Sequence, residues 1–208
     1  MQAILRGLLD LLAPRRCAAC ERASDLRGGA FCRPCDALVE RHHNIHAVFE
    51  YGGPVAAAIG RFKYEGRSEL GRVLGSHMAE GARVWVGRVD GVVPVPLHWR
   101  RRRSRGYDQA ALLAKPVARA LQVPALLRCL RRIRNTPSQV ALPQAARLQN
   151  VQGAFRSRAL EGSERLLLVD DVRTTGATLA AASDALRVAG AGDVRTLVLA
   201  VRVLGGAT

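Results

Sequence analysis

Leu166-Leu167-Leu168-Val169-Asp170-Asp171-Val172-Arg173-Thr174-Thr175-Gly176-Ala177-Thr178 is the stretch whose reading decides the fold. Four apolar residues run into two carboxylates, and a threonine-rich bend with one glycine then opens a helical pattern. A strand that is apolar on both faces of its pleat is covered on both sides, as in a parallel sheet between layers of helices. Such sheets bind ligands beyond the carboxyl ends of their strands, and a helix N-terminus offers unpaired amides to an anion. The amides of Arg173, Thr174, Thr175, Gly176, Ala177 and Thr178 are therefore predicted to cradle a phosphate, helped by the three threonine hydroxyls. Gly176 lets the backbone approach closely. Asp170 and Asp171 accept but do not donate, which suits the adjacent hydroxyls of a ribose 5-phosphate. A threonine cap beside solvated acids would explain the turn alone; it leaves the carboxylate doublet unaccounted for.

Outward from this stretch, the pattern alternates as crossover helices require. Strands are predicted over residues 45–51, 91–97, 165–170 and 194–203. Helices are predicted over 2–13, 55–62, 69–84, 109–121 (with Pro116 as a possible kink), 138–150 and 176–189. Residues 125–130 fit a strand or a short helix. The predicted class is α/β, a parallel sheet flanked by helices, in two units: residues 1–44 with an N-terminal helix and a metal module, and 45–208 with the sheet.

Cys17-x2-Cys20 and Cys32-x2-Cys35 are two knuckles separated by eleven residues, with Gly28 and Gly29 to turn the chain between them. This spacing suits one structural zinc with all four positions filled and none open for catalysis. A disulfide framework is the alternative, disfavoured by the odd total of five cysteines. His42, His43 and His46 are spare to a complete thiolate set, and Cys129 reads as a small buried hydrophobe.

The chain has 208 residues, 49% hydrophobic, with a net charge of +15. No run approaches the roughly 18 apolar residues of a membrane span. Arg6 and Asp10 interrupt the N-terminal apolar stretch, which argues against a signal peptide. A cytoplasmic protein is expected. Of 32 basic residues only Lys63 and Lys115 are lysine. Arginine this dense favours phosphate-bearing partners, although genomic base composition produces the same bias.

The segment 166–178 resembles the signature of type I phosphoribosyltransferases, which bind phosphoribosyl pyrophosphate. With the knuckles, Val92-Val93-Pro94-Val95-Pro96-Leu97-His98-Trp99-Arg100, Arg105-Gly106-Tyr107-Asp108-Gln109-Ala110, Arg132, Arg134, Thr136, Gln139, Leu142, Arg147, Asn150 and Phe155, nearly the whole chain is similar to the ComF family. That family joins a zinc module to a phosphoribosyltransferase-like domain and is associated with DNA uptake in competent bacteria. The resemblance implies that Asp170 and Asp171 hold the ribose hydroxyls, directly or through Mg2+, and that residues 174–178 hold the 5-phosphate. It places the loop after Pro96 at the pyrophosphate, with Arg100, Arg101, Arg102, Arg103 and Arg105 as its candidate cations. Arg132, Arg134, Thr136 and Gln139 fall on a closing segment braced by Arg147 and Asn150. Lys63 matches a family lysine without an assigned role. Asp108 stands where the family often has Asn, so a donor is replaced by a group that only accepts.

Two functions follow from the resemblance. One is phosphoribosyl transfer to an acceptor that the sequence does not identify. The other is a non-catalytic module that senses the ligand and works with single-stranded DNA and competence proteins, using the Trp99–Arg105 cluster.

Overall fold

Leu166 and Leu168 pack into one layer and Leu167 and Val169 into the layer on the opposite face, so the central strand is buried on both sides, as its sequence predicts. The structure is a computed structural model that describes residues 16–23, 29–136, 150–161 and 164–203. The predicted helix at 2–13, Gly28, Gln139, Leu142, Arg147 and nearly all of the predicted helix at 138–150 lie outside the described residues.

In chain order the elements are α1 (Arg33–Asp36), β1 (Arg41–Asn44), β2 (Ala47–Glu50), α2 (Gly53–Tyr64), α3 (Leu70–Gly81) with a 3-10 turn at Ala82–Trp85, β3 (Gly91–Pro94), α4 (Trp99–Arg105), α5 (Gln109–Leu121), β4 (Leu130–Arg132), β5 (Phe155–Ser157), β6 (Arg165–Arg173), α6 (Ala177–Val188) and β7 (Asp193–Val201). The main sheet has the order β1-β2-β7-β6-β3, parallel except for the β1–β2 pair, and β4 and β5 form a separate antiparallel pair. Helices α2, α3 and α5 cover one face, and α6 with the β4–β5 pair covers the other. The chain is thus α/β with a mostly parallel sheet flanked by helices and a four-cysteine cluster near its N-terminus. No helix among the described residues is long and apolar enough to cross a membrane.

Several predicted bounds are corrected. Residues 125–130 form neither a strand nor a helix: Ala125 makes an isolated bridge to Val92, a turn follows, and Leu130 begins β4. The short β1 and the β4–β5 pair were not legible, because neither shows a clear alternating pattern. β6 continues three residues past Asp170, since β7 keeps pairing with it at Asp170, Val172 and Arg173. β3 stops pairing at Pro94, opposite Val169. One flank of β6 is therefore open just where the carboxylates begin, at a point with β7 on one side and the departing β3 chain on the other.

The helix pair α3–α5 packs tightly. A β-carbon on Gly75 would lie 2.8 Å from Pro116 Cγ, and one on Gly71 would lie 2.6 Å from Leu112 Cβ. Pro116 sits inside an α5 that runs unbroken from Gln109 to Leu121.

Candidate functional site

The pleat of β6 sends neighbouring side chains to opposite faces. Asp171 shares the face of Leu167 and Val169, toward α2, while Asp170 shares the face of Leu166 and Leu168, toward α6 and β4. Both carboxylates nevertheless border one cavity of about 230 Å3 at the open flank of β6. Arg173, Thr174, Gly176 and Thr178 line it from the bend, Arg105 and Arg101 from α4, Arg132 from β4, Lys63 from α2 and Arg202 from the end of β7. Of the residues predicted for the phosphate cradle, Thr175 and Ala177 do not face the cavity. Thr175 Oγ1 accepts the Ala177 amide at 3.5 Å, and the Ala177 side chain is buried under α6.

Gly176 caps α6 with φ of +82°, and a β-carbon there would touch nothing closer than Arg173 Cδ at 4.0 Å. Glycine is required by the left-handed backbone at the entry to α6 more than by crowding.

Lys63 was without a role in the sequence. Its Nζ lies 2.7 Å from Asp171 Oδ1, with both side chains largely buried. Burial works against the ammonium, but the charges of Asp171 and Asp170 more than offset it and raise the Lys63 pKa. Asp170 is pushed up to about 8, first by burial and then by the Asp171 charge; Lys63 and the Asp171 amide, which donates to Asp170 Oδ1 at 2.8 Å, oppose the rise.

Asp108 uses two acceptor oxygens. Oδ1 caps α5 through the Ala111 amide at 3.2 Å, and Oδ2 takes the Leu97 amide at 3.0 Å, fixing the loop that leaves β3. An acceptor-only side chain thus suits the position, and burial raises its pKa. The buried His98 caps α4 by accepting the Arg100 amide at Nδ1, 3.4 Å away, and burial followed by the Arg100 charge lowers its pKa. Sequence reasoning missed this neutral acceptor because it looks like part of a basic loop.

The arginines divide. Arg101 and Arg105 line the cavity, whereas Arg100, Arg102 and Arg103 are exposed on α4 and do not. The expected loop cations are therefore carried on a helix. Arg101 donates to the Thr136 carbonyl at 2.8 Å, Arg132 to the Thr136 hydroxyl, and Arg105 to Gln109 Oε1 at 3.0 Å while lying over the Tyr64 ring. Arg134 instead binds the Gln152 carbonyl, outside the cavity.

The second cluster is the cysteine set. The sulfurs of Cys17, Cys20, Cys32 and Cys35 all lie within 4.8 Å of one another, and all five cysteines are free thiols. The Cys32 amide donates to Cys17 Sγ at 3.3 Å, and Arg22 Nε to Cys20 Sγ at 3.4 Å. Arg22 pulls the Cys20 thiol down to about 6, and burial pushes Cys35 up to about 12. Four soft donors at this separation fit a tetrahedral zinc, whose bonds to sulfur are about 2.3 Å. His46 is engaged elsewhere, its Nδ1 3.0 Å from the Thr196 carbonyl, and His42 lies 3.6 Å from Glu50. Cys129 is buried against Ser157, as predicted.

No family model matches the chain. It is similar to Competence protein F of Haemophilus influenzae, 28% identical and covering 94% of each chain. It is also similar to DNA utilization protein YhgH of Escherichia coli, 30% identical over 80% of this chain and 77% of the relative. Competence protein ComFC of Bacillus subtilis is 27% identical over 84% of this chain and 72% of its own.

Proposed function

The chain belongs to the ComF family, and from that premise we propose that it binds phosphoribosyl pyrophosphate or a related phosphorylated ribose and serves DNA uptake. The names of the relatives, competence protein and DNA utilization protein, support the second half. One observation carries the first: two carboxylates, two threonines and a left-handed glycine share a single cavity with six cations, Lys63, Arg101, Arg105, Arg132, Arg173 and Arg202. That charge balance fits a ligand with several phosphoryl oxygens and a few hydroxyls.

In this reading the bend at Thr174–Thr178 takes the 5-phosphate on amides and hydroxyls. Asp170 and Asp171 accept from the ribose hydroxyls. Arg101, Arg105 and Arg132, fixed by Thr136 and Gln109, meet the pyrophosphate. Magnesium arriving on the pyrophosphate oxygens would spread the charge that builds on that leaving group. Transfer to an acceptor would then proceed through a positively charged sugar, stabilised by preorganised groups in a site shielded from water. The four cysteines hold a structural zinc; of the two expected units, 1–44 and 45–208, the first carries the metal module and gives its last strand, β1, to the sheet of the ligand domain; the protein works in the cytoplasm.

Calorimetry with phosphoribosyl pyrophosphate and Mg2+ tests the site. Binding that Asp170→Ala and Asp171→Ala weaken supports it; equal affinity in all three proteins removes the ribose assignment. Pyrophosphate release with a panel of nitrogen acceptors separates transfer from sensing.

A second reading, contact with single-stranded DNA, is favoured by α4 itself. Trp99 is 61% exposed with Arg100 5.3 Å over its ring, and Arg100, Arg102 and Arg103 point away from the cavity. An exposed aromatic beside solvent-facing guanidiniums suits a stacked base and its phosphates. Alanine at the three arginines should flatten the salt dependence of single-strand binding; an unchanged slope excludes them.

A further inference from the structure

The phosphoribosyl resemblance leaves two ways for the acidic doublet to meet the ribose, directly or through a divalent ion, and the residues present do not fit the ion. Asp171 Oδ1 is already taken by the Lys63 ammonium at 2.7 Å. Asp170 faces the other side of the pleat and accepts the Asp171 amide. The further carboxylate whose charge acts on Asp170, that of Asp108, has each oxygen engaged, by the Leu97 and Ala111 amides. Among the described residues, the only cluster of three or more His, Cys, Asp or Glu gathered closely enough to hold a metal is the four-cysteine set.

The identity of residue 63 points the same way. This chain places arginine at 30 of its 32 basic positions, and one of its two lysines stands at this carboxylate. The other, Lys115, is exposed on α5. An ammonium is a compact point charge with three donors, whereas a guanidinium is a wide planar fork. Only the compact cation leaves room beside a half-occupied carboxylate for a sugar hydroxyl to share it. A hard divalent ion at the same place would need several oxygen ligands arranged around it and would have to displace Lys63 into an arginine-lined cavity.

We propose that Lys63 is the resident cation of the acidic doublet, so that a ribose 5-phosphate monoester binds this cavity without a divalent ion. This rests on the phosphoribosyl reading of the cavity. Magnesium then matters only to ligands that bring it on a pyrophosphate. Lys63 acts as a positioning and charge-balancing residue: its ammonium fixes Asp171 through the 2.7 Å ion pair, and its remaining donors are available to the ligand in the cavity that it lines.

The test uses the full, zinc-loaded chain and D-ribose 5-phosphate in calorimetry, in buffer depleted of divalent ions by resin and again with millimolar Mg2+. Chelators are avoided because they would also strip the cysteine site. The parent protein should bind equally well in both buffers, and titrating MgCl2 alone should give no heat of binding. Lys63→Met should bind the monoester at least about tenfold more weakly without Mg2+ and recover affinity when Mg2+ is added. Lys63→Arg, which keeps the charge and guards against a folding defect in the methionine variant, should bind more weakly than the parent because its wide fork crowds Asp171, but equally in both buffers. Parent binding that requires Mg2+ overturns the inference and leaves the phosphoribosyl reading standing. Absence of monoester binding by the parent in either buffer overturns both.

Discussion

Lys63 Nζ lies 2.7 Å from Asp171 Oδ1, tying α2 to β6 across the wall of the cavity. Removing one member of a pair this buried strands the other charge, at a cost of up to about 3 kcal/mol. Lys63→Met and Asp171→Asn should each lower the urea midpoint, and the double variant should recover most of the loss. A double-mutant cycle with additive effects would show that the two do not interact.

Asp170 supplies a pH dependence of stability. Its folded pKa, about 8, is raised above the ordinary 3.8 by burial and by Asp171. Between those values the folded chain holds a proton that the unfolded chain has released, so stability falls as pH rises through that window. Urea midpoints of the ligand-free protein should decline between about pH 5 and pH 8, and Asp170→Asn should remove most of the decline. A parent profile as flat as the variant's contradicts the assignment.

The cysteine cluster should contribute to the stability of the whole chain. Cys17, Phe31 and Cys35 pack in the same apolar layer as Phe49 and α3, and Glu21 between the knuckles is held by Arg61 of α2 and Arg67 of the connection to α3. Cys32→Ser should lose the zinc, read by elemental analysis, and lower Tm by about 5–10 °C, equivalent to ~3 kcal/mol. Unchanged Tm with the metal lost would mean that the cluster is thermally decoupled from the sheet.

Much of this was legible in the sequence, and the reasons are local. The run 166–169 fixed a doubly covered strand because four apolar residues leave no polar face, and the C-x2-C spacing brought four sulfurs together because both knuckles are short-range features. Lys63 was not legible as the partner of Asp171, since 108 residues separate them and only the crossover topology brings α2 over β6. Nor was the split of the arginines: five neighbours in sequence look alike until α4 turns Arg101 and Arg105 inward and leaves Arg100, Arg102 and Arg103 outside. Asp108 looked like a departure from an amide, and the two backbone donors facing it explain a carboxylate there.

Gly176 gives a test of the bend. A side chain at φ of +82° is strained by about 1–2 kcal/mol. Gly176→Ala should lower stability by that amount and weaken phosphate-ligand binding further, because relaxing the backbone re-aims the first amides of α6. Normal ligand affinity in this variant, measured by calorimetry, would show that those amides do not contact the phosphate.

Thr136, only 4% exposed, holds two cavity arginines at once: Arg101 through its carbonyl and Arg132 through its hydroxyl. Arg132 has little else to hold it, since its Nε is buried without a hydrogen bond and its guanidinium otherwise rests over Phe155 at 5.4 Å. Losing the hydroxyl of Thr136→Ala should therefore cost about 1.5–3 kcal/mol, the range for a hydrogen bond to a charged group. Arg101 keeps its carbonyl partner in that variant, so the expected defect is confined to Arg132 and to the affinity for pyrophosphate-bearing ligands. Thr136→Ser retains the oxygen and should restore both stability and affinity. If serine behaves like alanine, the lost methyl packing and not the arginine contact is what the site depends on.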